Sequence, residues 1–351
     1  MSIILSLSSG FFGGFVAWVC SNYFGRPLVE FWNIRSEAQK LLYYYANIKF
    51  RCPQHYRNNE TTVAGSMVDL FDCPACATQT RHSALWTKNE CQILKCEECG
   101  LGSAATASFS PSSYYTRAYF EGNHRDGYAD YIGSEPVLRD EFRGIVKGLR
   151  DIIPTGKLFE IGSAYGFFLM EAQPHYRVHG VEIAEDAAAF ARARGLDVQS
   201  GAVTRQAFEQ IGPVDAVVML DVIEHLEDPA SVLQLCAHYL VPGGVIVVTT
   251  GDFGSLFAKF SGKHWRLMTP PQHLWYFTRS SISKMAARYD LVLENFKHPW
   301  KKIPVSLILY QIGRMSGISL STERLSLLSH MGLPVNLFDA MSVIFRKSFT
   351  A

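Results

Sequence analysis

Runs of apolar residues recur between residues 157 and 250, and each is long enough for one buried strand. Four of them cover residues 157–161, 177–182, 214–220 and 240–250. A helical pattern follows the first run over residues 167–176, and Asp228-Pro229 begins another helix after the third. Strands that alternate with helices favour βαβ units, in which parallel strands form one sheet with helices on its faces. The pattern therefore predicts an α/β fold, with a final strand hairpin of the same sheet in residues 333–346.

The loop between the first run and its helix reads Glu160-Ile-Gly-Ser-Ala-Tyr-Gly166. Small residues in such a loop let the backbone turn tightly beneath a ligand. Glu182 closes the second run, and an acid in that position can accept two hydrogen bonds from ribose hydroxyls. A dinucleotide fingerprint reads Gly-x-Gly-x-x-Gly, whereas here Ala164 takes the place of the middle glycine. The loop thus predicts a nucleotide-type cofactor and gives little sign of a pyrophosphate site.

The third run is followed by Asp221, Glu224 and His225, and the fourth begins with a turn, Leu240-Val-Pro-Gly-Gly244, before its buried strand. Taken in order, these blocks resemble the class I S-adenosylmethionine (SAM)-dependent methyltransferases over about residues 115–300. The resemblance implies a Rossmann-like, seven-stranded methyltransferase sheet. It also implies that SAM binds at the carboxyl ends of the strands, as ligands do in open α/β sheets.

The resemblance also assigns roles within this pocket. Small residues of the loop would run beneath the methionine part of SAM, Glu160 would hold its amino end, and Glu182 would bind the ribose diol. The end of the third strand would lie near the sulfonium and the bound amino acid. The implied SAM-binding residues are Glu160, Gly162, Ser163, Gly166, Glu182, Leu220 and Asp221.

Methyl transfer is an in-line displacement, so much of the catalysis can come from holding the acceptor atom near the methyl carbon. An oxygen or carbon acceptor also loses a proton, which requires a base. His225 is the first candidate, with Glu224 orienting it or serving as base itself, although this pair could instead only organise the loop. His273 is the second candidate, because Pro270-Pro271 stiffens the loop that carries it. Asp252, after the fourth run, could contact the acceptor.

Two cysteine pairs, Cys73-x-x-Cys76 and Cys96-x-x-Cys99, are separated by 19 residues. Paired knuckles at this distance can bring four thiolates into a tetrahedron around a structural zinc ion. The chain resembles the methyltransferase branch that carries such a ribbon together with a Trp265…Pro270-Pro271-Gln272-His273…Tyr276-Phe277 block. In that branch the ribbon packs beside the acceptor site, and its members often modify sugars or other small molecules. A zinc ribbon is therefore predicted over residues 70–110.

Composition bears on whether the protein binds nucleic acid and on the redox state of its cellular compartment. The formal net charge is +1, so the sequence gives no electrostatic sign of a nucleic-acid partner. Eight cysteines in 351 residues, four of them at metal spacing, indicate a reducing compartment rather than a disulfide scaffold. The sequence leaves the oligomeric state open.

The N-terminal segment differs from the rest because residues 3–25 contain no charged side chain. A membrane span needs about 20 mostly apolar residues, so a transmembrane anchor over residues 1–25 is predicted, with a buried core helix as the alternative. Basic residues follow the segment, which by the positive-inside rule places the remainder in the cytoplasm. Residues 26–69 would form a juxtamembrane helix and linker, and residues 111–351 the methyltransferase domain with its C-terminal extension.

Three hypotheses for function follow. The first is a SAM-dependent methyltransferase at the cytoplasmic membrane face that acts on a small-molecule or lipid-linked sugar acceptor, because a tether raises the local concentration of such a substrate. The second is a quinone-type O-methyltransferase, which the core motifs fit equally well. The third is a non-catalytic scaffold with a degenerate methyltransferase fold, and Ala164 is the residue in its favour.

Overall fold

The computed structural model describes residues 70–105, 130–309 and 328–349, together with Tyr114 and Phe120. Its strands, in chain order, are β1 (Leu70–Cys73), β2 (Thr78–Lys88), β3 (Cys91–Cys96), β4 (Gly102–Ala105), β5 (Gly156–Ile161), β6 (Tyr176–Glu182), β7 (Val198–Ser200), β8 (Val214–Leu220), β9 (Leu240–Gly251), β10 (Trp275–Tyr276), β11 (Leu291–Lys297), β12 (Lys301–Pro304), β13 (Gly332–Val335) and β14 (Ala340–Lys347).

The helices lie mainly between the strands of the α/β region. They are α1 (Glu135–Arg150), α2 (Phe167–Ala172), α3 (Glu185–Ala193), α4 (Arg205–Ile211), α5 (Pro229–Tyr239), α6 (Leu256–Ser261) and α7 (Arg279–Ala287). Two single 3-10 turns cover Ile223–His225 and Gly262–His264. The helix α2 is shorter than the predicted 167–176, because a turn replaces its last residues before β6 begins.

Seven of the strands form one mixed sheet, in the order β11-β14-β9-β8-β5-β6-β7. The five strands from β9 to β7 in this order are parallel, so their carboxyl ends meet at one edge. Strand β14 is antiparallel to both of its neighbours. The predicted seven-stranded α/β sheet is confirmed.

Side chains of the central strands alternate between the two faces of this sheet. On β8, Val217 and Met219 belong to the same apolar cluster as residues of α4, α5 and α7. Ala216 and Val218 belong instead to a cluster with residues of α1, α2 and α3. All four side chains are fully buried. Because successive strand residues point to opposite faces, helices cover the sheet on both sides and leave its carboxyl edge for a site.

The cysteine-bearing strands form a second sheet, in the order β1-β2-β3-β4-β10. Its last strand comes from far along the chain, since Trp275 pairs with Ser103 and Tyr276 with Gly102. A Cβ at Gly102 would lie 2.9 Å from both Phe253 Cε1 and Tyr276 Cβ, so glycine lets the two strands meet. The cysteine-bearing sheet is therefore joined to the α/β region through a shared strand.

The C-terminal prediction is only half right. Strand β14 joins the main sheet, but β13 pairs with β12 in a separate two-stranded sheet. Gly332 at the start of β13 lies against α1, where a Cβ would be 2.6 Å from Val137 Cγ1. Residues 298–304 and 332–336, which we call the strap, thus bridge from the end of β11 to α1.

The predicted membrane location is corrected. Within the described ranges 70–105, 130–309 and 328–349, no helix is long and apolar enough to cross a membrane. The longest described helix, α1, has 16 residues and carries charged side chains along its length. The predicted anchor and juxtamembrane region, residues 1–69, lie outside the described residues.

Candidate active site

Glu182 ties the loop after β5 to the end of β6. The backbone N–H of Ala164 donates to its Oε2 at 2.7 Å, and that of Ala184 donates to its Oε1 at 2.8 Å. The carboxylate is buried, and burial raises its pKa, while the N–H groups of Ala184 and Ala164 oppose that shift. Each carboxylate oxygen can accept more than one hydrogen bond, so Glu182 keeps acceptor capacity for a ligand.

Glu160 and Ser163 present buried polar atoms beside Glu182. Glu160 Oε2 and Ser163 Oγ have no hydrogen-bond partner among the residues that the structure describes. Burial raises the pKa of Glu160 well above its usual value, and the charge of Glu182 adds to the effect. Buried polar groups are rarely left unpaired, so these atoms indicate a polar ligand at the ends of β5 and β6. The residues present therefore fit SAM. We call this region, residues 160–166 with Glu182, the β5–β6 edge.

Backbone geometry explains the small residues of the loop. Gly162 has φ +73° and Gly166 has φ +76°, conformations that favour glycine. A Cβ at Gly162 would lie 2.5 Å from Val222 Cγ2. Ala164, which replaces the expected middle glycine, has φ +45°, and a left-handed non-glycine residue costs about 1–2 kcal/mol. The alanine therefore adopts the turn that a glycine would take with less strain.

Asp221 directly follows β8, the strand that neighbours β5, and its side chain contacts Thr249 and Lys301. Its Oδ1 accepts a hydrogen bond from Thr249 Oγ1 at 3.0 Å, and its Oδ2 pairs with Lys301 Nζ of the strap. Burial would raise the pKa of Asp221, but the Lys301 ammonium outweighs it and lowers the pKa. Leu220 is half-buried at the end of β8, in register with Thr249. SAM contacts of Leu220 and Asp221 remain predictions.

The two predicted histidine bases come together beside Asp221. The 3-10 turn at His225 is held against the 270–277 block, because Leu274 N–H donates to Glu224 O at 2.9 Å and His225 Nδ1 donates to Gln272 O at 2.8 Å. The rings of His225 and His273 lie edge to face, with centroids 4.7 Å apart. Residues far apart in the sequence thus form one cluster.

Both rings have the same tautomer. The Nδ1 of His273 faces Leu267 O at 2.7 Å, as that of His225 faces Gln272 O. A carbonyl oxygen only accepts, so each Nδ1 carries the hydrogen, and the lone pair of each neutral ring is on Nε2. Burial lowers the pKa of His225 to about 4 and that of His273 to about 3. Both rings are therefore neutral at pH 7.

Glu224 completes this cluster. Its carboxyl group is buried, and its Oε2 has no hydrogen-bond partner among the described residues. Burial, and secondarily the charge of Asp221, raises the pKa of Glu224 to about 8. One ligand atom from each of Glu224, His225 and His273 lies within 4.8 Å of the others, so the three could share a proton or a cation.

Comparison with known proteins identifies the region that carries these features. Residues 137–295 match the family described as a methyltransferase domain. This range contains β5 to β10, most of β11, the β5–β6 edge and the histidine cluster. Residues 137–295 are a SAM-dependent methyltransferase domain.

Relatives of the methyltransferase domain include two ubiquinone biosynthesis O-methyltransferases. That of Xylella fastidiosa is 31% identical over 102 residues, which are 27% of this chain and 41% of the relative. That of Alkalilimnicola ehrlichii is 29% identical over 132 residues, 34% of this chain and 53% of the relative. The chain thus spans about half, or less, of the length of these relatives. A solved Thermotoga maritima SAM-dependent methyltransferase, a possible histamine N-methyltransferase, is 20% identical with a TM-score of 0.40, covering 61% of this chain and 90% of that one.

Just beyond the matched range, the chain has polar residues that the sequence motifs did not indicate. His298 Nε2 lies 3.0 Å from Asp252 Oδ2, and Lys301 pairs with Asp221. His298 and Lys301 follow β11, outside the motifs that carry the methyltransferase resemblance. Their partners are 46 and 80 residues away in the sequence, so no local signal could have found them. We call the region of Asp221–His225, Asp252, Gln272–Tyr276, His298 and Lys301 the β8–β9 edge.

The four predicted cysteines also meet. Sγ atoms of Cys73 and Cys99 are 3.6 Å apart, those of Cys76 and Cys96 are 3.9 Å apart, and all four lie within 4.8 Å of one another. The hydrogen bond with Cys99 lowers the pKa of Cys73 to about 3 and raises that of Cys99. Lys284 of α7 donates to Cys76 Sγ at 3.3 Å. This set of donors could hold a metal ion.

Proposed function

We propose that the whole chain is a SAM-dependent O-methyltransferase whose acceptor is a hydroxylated small molecule of the quinone type. The observation that carries the cofactor part is the pair of buried, unpartnered atoms, Glu160 Oε2 and Ser163 Oγ, beside the Glu182 carboxylate. Support for the acceptor part comes from the relatives, which are named as O-methyltransferases of ubiquinone biosynthesis. The lipid-linked sugar acceptor stays an untested prediction.

The β5–β6 edge would hold the cofactor by its polar groups. Glu182 would accept from the ribose hydroxyls, since its oxygens retain acceptor capacity beyond the two N–H groups they bind. Glu160 would face the amino end of the methionine part, and Gly162, Ser163 and Gly166 would line its path. When bound, SAM supplies an electrophilic methyl group.

The β8–β9 edge would bind the acceptor. Charged and polar side chains gather there from β8, β9 and the strap, and such groups can orient a hydroxylated ring. Taking His225, Glu224 or His273 as the base stays a prediction. Both histidine rings are hard to protonate, because the pKa of His225 is about 4 and that of His273 is about 3. The rings also lie where the 3-10 turn packs against the 270–277 block.

The ribbon would hold a structural zinc ion through Cys73, Cys76, Cys96 and Cys99. A tetrahedral ion with Zn–S bonds of about 2.3 Å separates its sulfur ligands by about 3.8 Å. The observed separations of 3.6 and 3.9 Å fit that geometry. Membership of the ribbon-carrying branch remains part of this proposal, and metal analysis of the purified protein would test it directly.

The cofactor site is tested by calorimetric titration of SAM into the full-length protein and into Glu182→Ala. We expect micromolar binding by the natural protein and an affinity at least 100-fold lower in the variant. Hydrogen bonds to a charged group contribute about 1.5–3 kcal/mol each, and about 1.4 kcal/mol is tenfold in affinity. Glu185→Ala is the matched control, because Glu185 is a nearby acid at the exposed start of α3.

The control should bind SAM as the natural protein does. A folded natural protein that binds no SAM would overturn the enzyme proposal and leave the scaffold hypothesis. Equal binding by Glu182→Ala would remove Glu182 from the site. Thermal unfolding of each variant distinguishes lost contacts from a lost fold, since Glu182 also holds the backbone of Ala164 and Ala184.

A further inference from the structure

Asp252 and His298 form an oriented pair at the carboxyl edge of the sheet. His298 Nε2 lies 3.0 Å from Asp252 Oδ2, and the backbone N–H of Gly254 donates to Asp252 Oδ1 at 2.9 Å. The N–H of Asp252 itself donates to Asp339 O at 2.9 Å. Asp252 is therefore fixed by two backbone contacts, and it fixes the imidazole in turn.

The elements that carry the pair direct it to the acceptor side. Asp252 directly follows β9 and His298 directly follows β11, with β14 between those strands. Phe296 and Phe338 lie edge-on to the imidazole, at centroid distances of 5.1 and 5.9 Å. The side chain of His298 is 26% exposed, so a ligand can reach it.

Other charged groups around the pair are already matched. Arg266 binds both oxygens of Asp339 at 2.8 and 2.9 Å, and Lys301 pairs with Asp221 across the edge. His298, the first residue of the strap, is thus the basic side chain that pairs with Asp252. A base held by a carboxylate, and reachable from solvent, is the arrangement that general-base catalysis requires.

The histidine cluster at His225 lacks the carboxylate partner. Its two rings donate Nδ1–H to backbone carbonyls rather than to a carboxylate, and they pack against each other. His298 has the opposite tautomer, because Nε2–H faces the Asp252 carboxylate and the lone pair is on Nδ1.

We propose that His298, oriented by Asp252, is the general base that accepts the proton of the acceptor hydroxyl. The inference rests on the proposed methyl transfer. The O–H bond breaks and its proton passes to Nδ1 of His298. The acceptor oxygen forms the new O–C bond, and the C–S bond breaks with its electron pair left on sulfur. The Asp252 carboxylate then faces an imidazolium, which it stabilises.

The test measures proton removal directly and does not need the natural acceptor. The full-length protein, loaded with SAM, is titrated with a nitrocatechol, whose phenolate absorbs at a wavelength distinct from that of the phenol. In the natural protein we expect the bound probe to ionise at least one pH unit below the free probe. In His298→Asn that shift should vanish, and in Asp252→Asn it should shrink. Methyl transfer to the probe, followed as S-adenosylhomocysteine, should fall about 100-fold or more in His298→Asn.

Two further variants make the result specific. His238→Asn changes an exposed histidine on α5 and should behave as the natural protein does. His225→Asn tests the rival base. The proposal is overturned if His298→Asn ionises the probe normally, if His225→Asn abolishes the shift instead, or if the SAM-loaded protein binds no probe. In that last case normal SAM titration shows that the cofactor part of the proposed function survives. Failure of the SAM titration itself overturns both.

Discussion

The two halves of the candidate site differ in how far apart in the sequence their contacting residues lie. At the β5–β6 edge, Glu182 binds backbone groups 18 and 2 residues away, within a single βαβ unit. At the β8–β9 edge, His225 binds Gln272 and Asp252 binds His298, over 47 and 46 residues, and Asp221 meets Lys301 over 80. One edge is therefore self-contained, whereas the other is assembled from several elements.

The cysteine-bearing sheet extends this difference further. Asn89 of the β2–β3 turn donates to Pro270 O at 2.8 Å, across 181 residues, and Ala104 N–H of β4 donates to Leu274 O at 2.9 Å. The block that carries His273 is thus held between the ribbon and the turn at His225. It follows that damage to the ribbon should disturb the β8–β9 edge and leave the β5–β6 edge in place.

Loss of the proposed zinc ion should have the largest effect on stability and should affect the β8–β9 edge more than the β5–β6 edge. Structural zinc supplies folding free energy, and we expect chelation, or Cys96→Ser, to lower the free energy of unfolding by at least about 4 kcal/mol. Hydrogen exchange should then accelerate at the Ala104 amide, which joins the ribbon to the block, and at the Leu274 amide, which joins the block to Glu224. Exchange at the Ala164 amide, which donates to Glu182, should stay slow.

Cys91→Ala is the control for this experiment. Cys91 is buried in β3 but lies outside the group of four cysteines, so the variant should keep its metal and its pattern of exchange. Equal loss of protection at Ala164 and Leu274 on metal removal would show that the two edges are not separable. Unchanged protection at Leu274 would show that the ribbon does not support the block.

Asp339→Asn should destabilise the β8–β9 edge from the side of β14, which Asp339 directly precedes. Asp339 is 1% exposed, and it accepts from Trp265 Nε1 at 2.9 Å and from Arg266 at two positions. Removing one partner of a buried pair costs about 3–5 kcal/mol, and we expect the lower figure because Arg266 remains partly exposed. Denaturant unfolding would measure the loss, and SAM affinity should change by less than about threefold, under 1 kcal/mol.

Arg143→Ala provides the comparison for that variant. Its side chain is 55% exposed and pairs with Asp140 and Glu171, so we expect a loss of at most about 0.5 kcal/mol. If the two variants lose similar stability, the buried position of Asp339 does not matter. If Asp339→Asn weakens SAM binding strongly, the two edges are coupled.

The β5–β6 edge could be predicted from the sequence because its signals are local. Strand periodicity set Glu182 at the end of β6, and the need for a tight turn marked Gly162 and Gly166, both of which have positive φ. The spacing of four cysteines likewise predicted a cluster that the structure brings together. In each case neighbouring residues within one motif decide the geometry.

The β8–β9 edge could be predicted only in pieces. His225 and His273 were each singled out, but their contact depends on how the 270–277 block returns to the sheet, which no pattern within the block states. His298 and Lys301 carried no motif at all, since their positions come from the pairing of β11 with β14 and from the strap. Strand β10 has two residues, too few for a periodic signal.

A pair of glycine variants gives the smallest effect and sharpens the comparison at the β5–β6 edge. Gly166 has φ +76°, and a Cβ there would lie 2.4 Å from Leu196 Cδ1 and 3.0 Å from Ala191 Cβ. Gly195 has φ +81°, with no heavy atom within 4 Å of the added Cβ. Gly195→Ala should therefore lose only about 1 kcal/mol, from backbone strain. Gly166→Ala should lose about 2 kcal/mol, because a clash with buried side chains adds to the strain.

The two variants should also differ in ligand binding. Gly166→Ala shifts the loop that Glu182 holds, so we expect SAM affinity to fall about tenfold, or 1.4 kcal/mol, whereas Gly195→Ala should bind as the natural protein does. Unfolding by denaturant and calorimetric titration measure the two quantities separately. Proton removal from the nitrocatechol probe should be unchanged in both variants once SAM is saturating, because neither glycine contacts the β8–β9 edge. Loss of that ionisation in Gly166→Ala would mean that the local edge governs the assembled one.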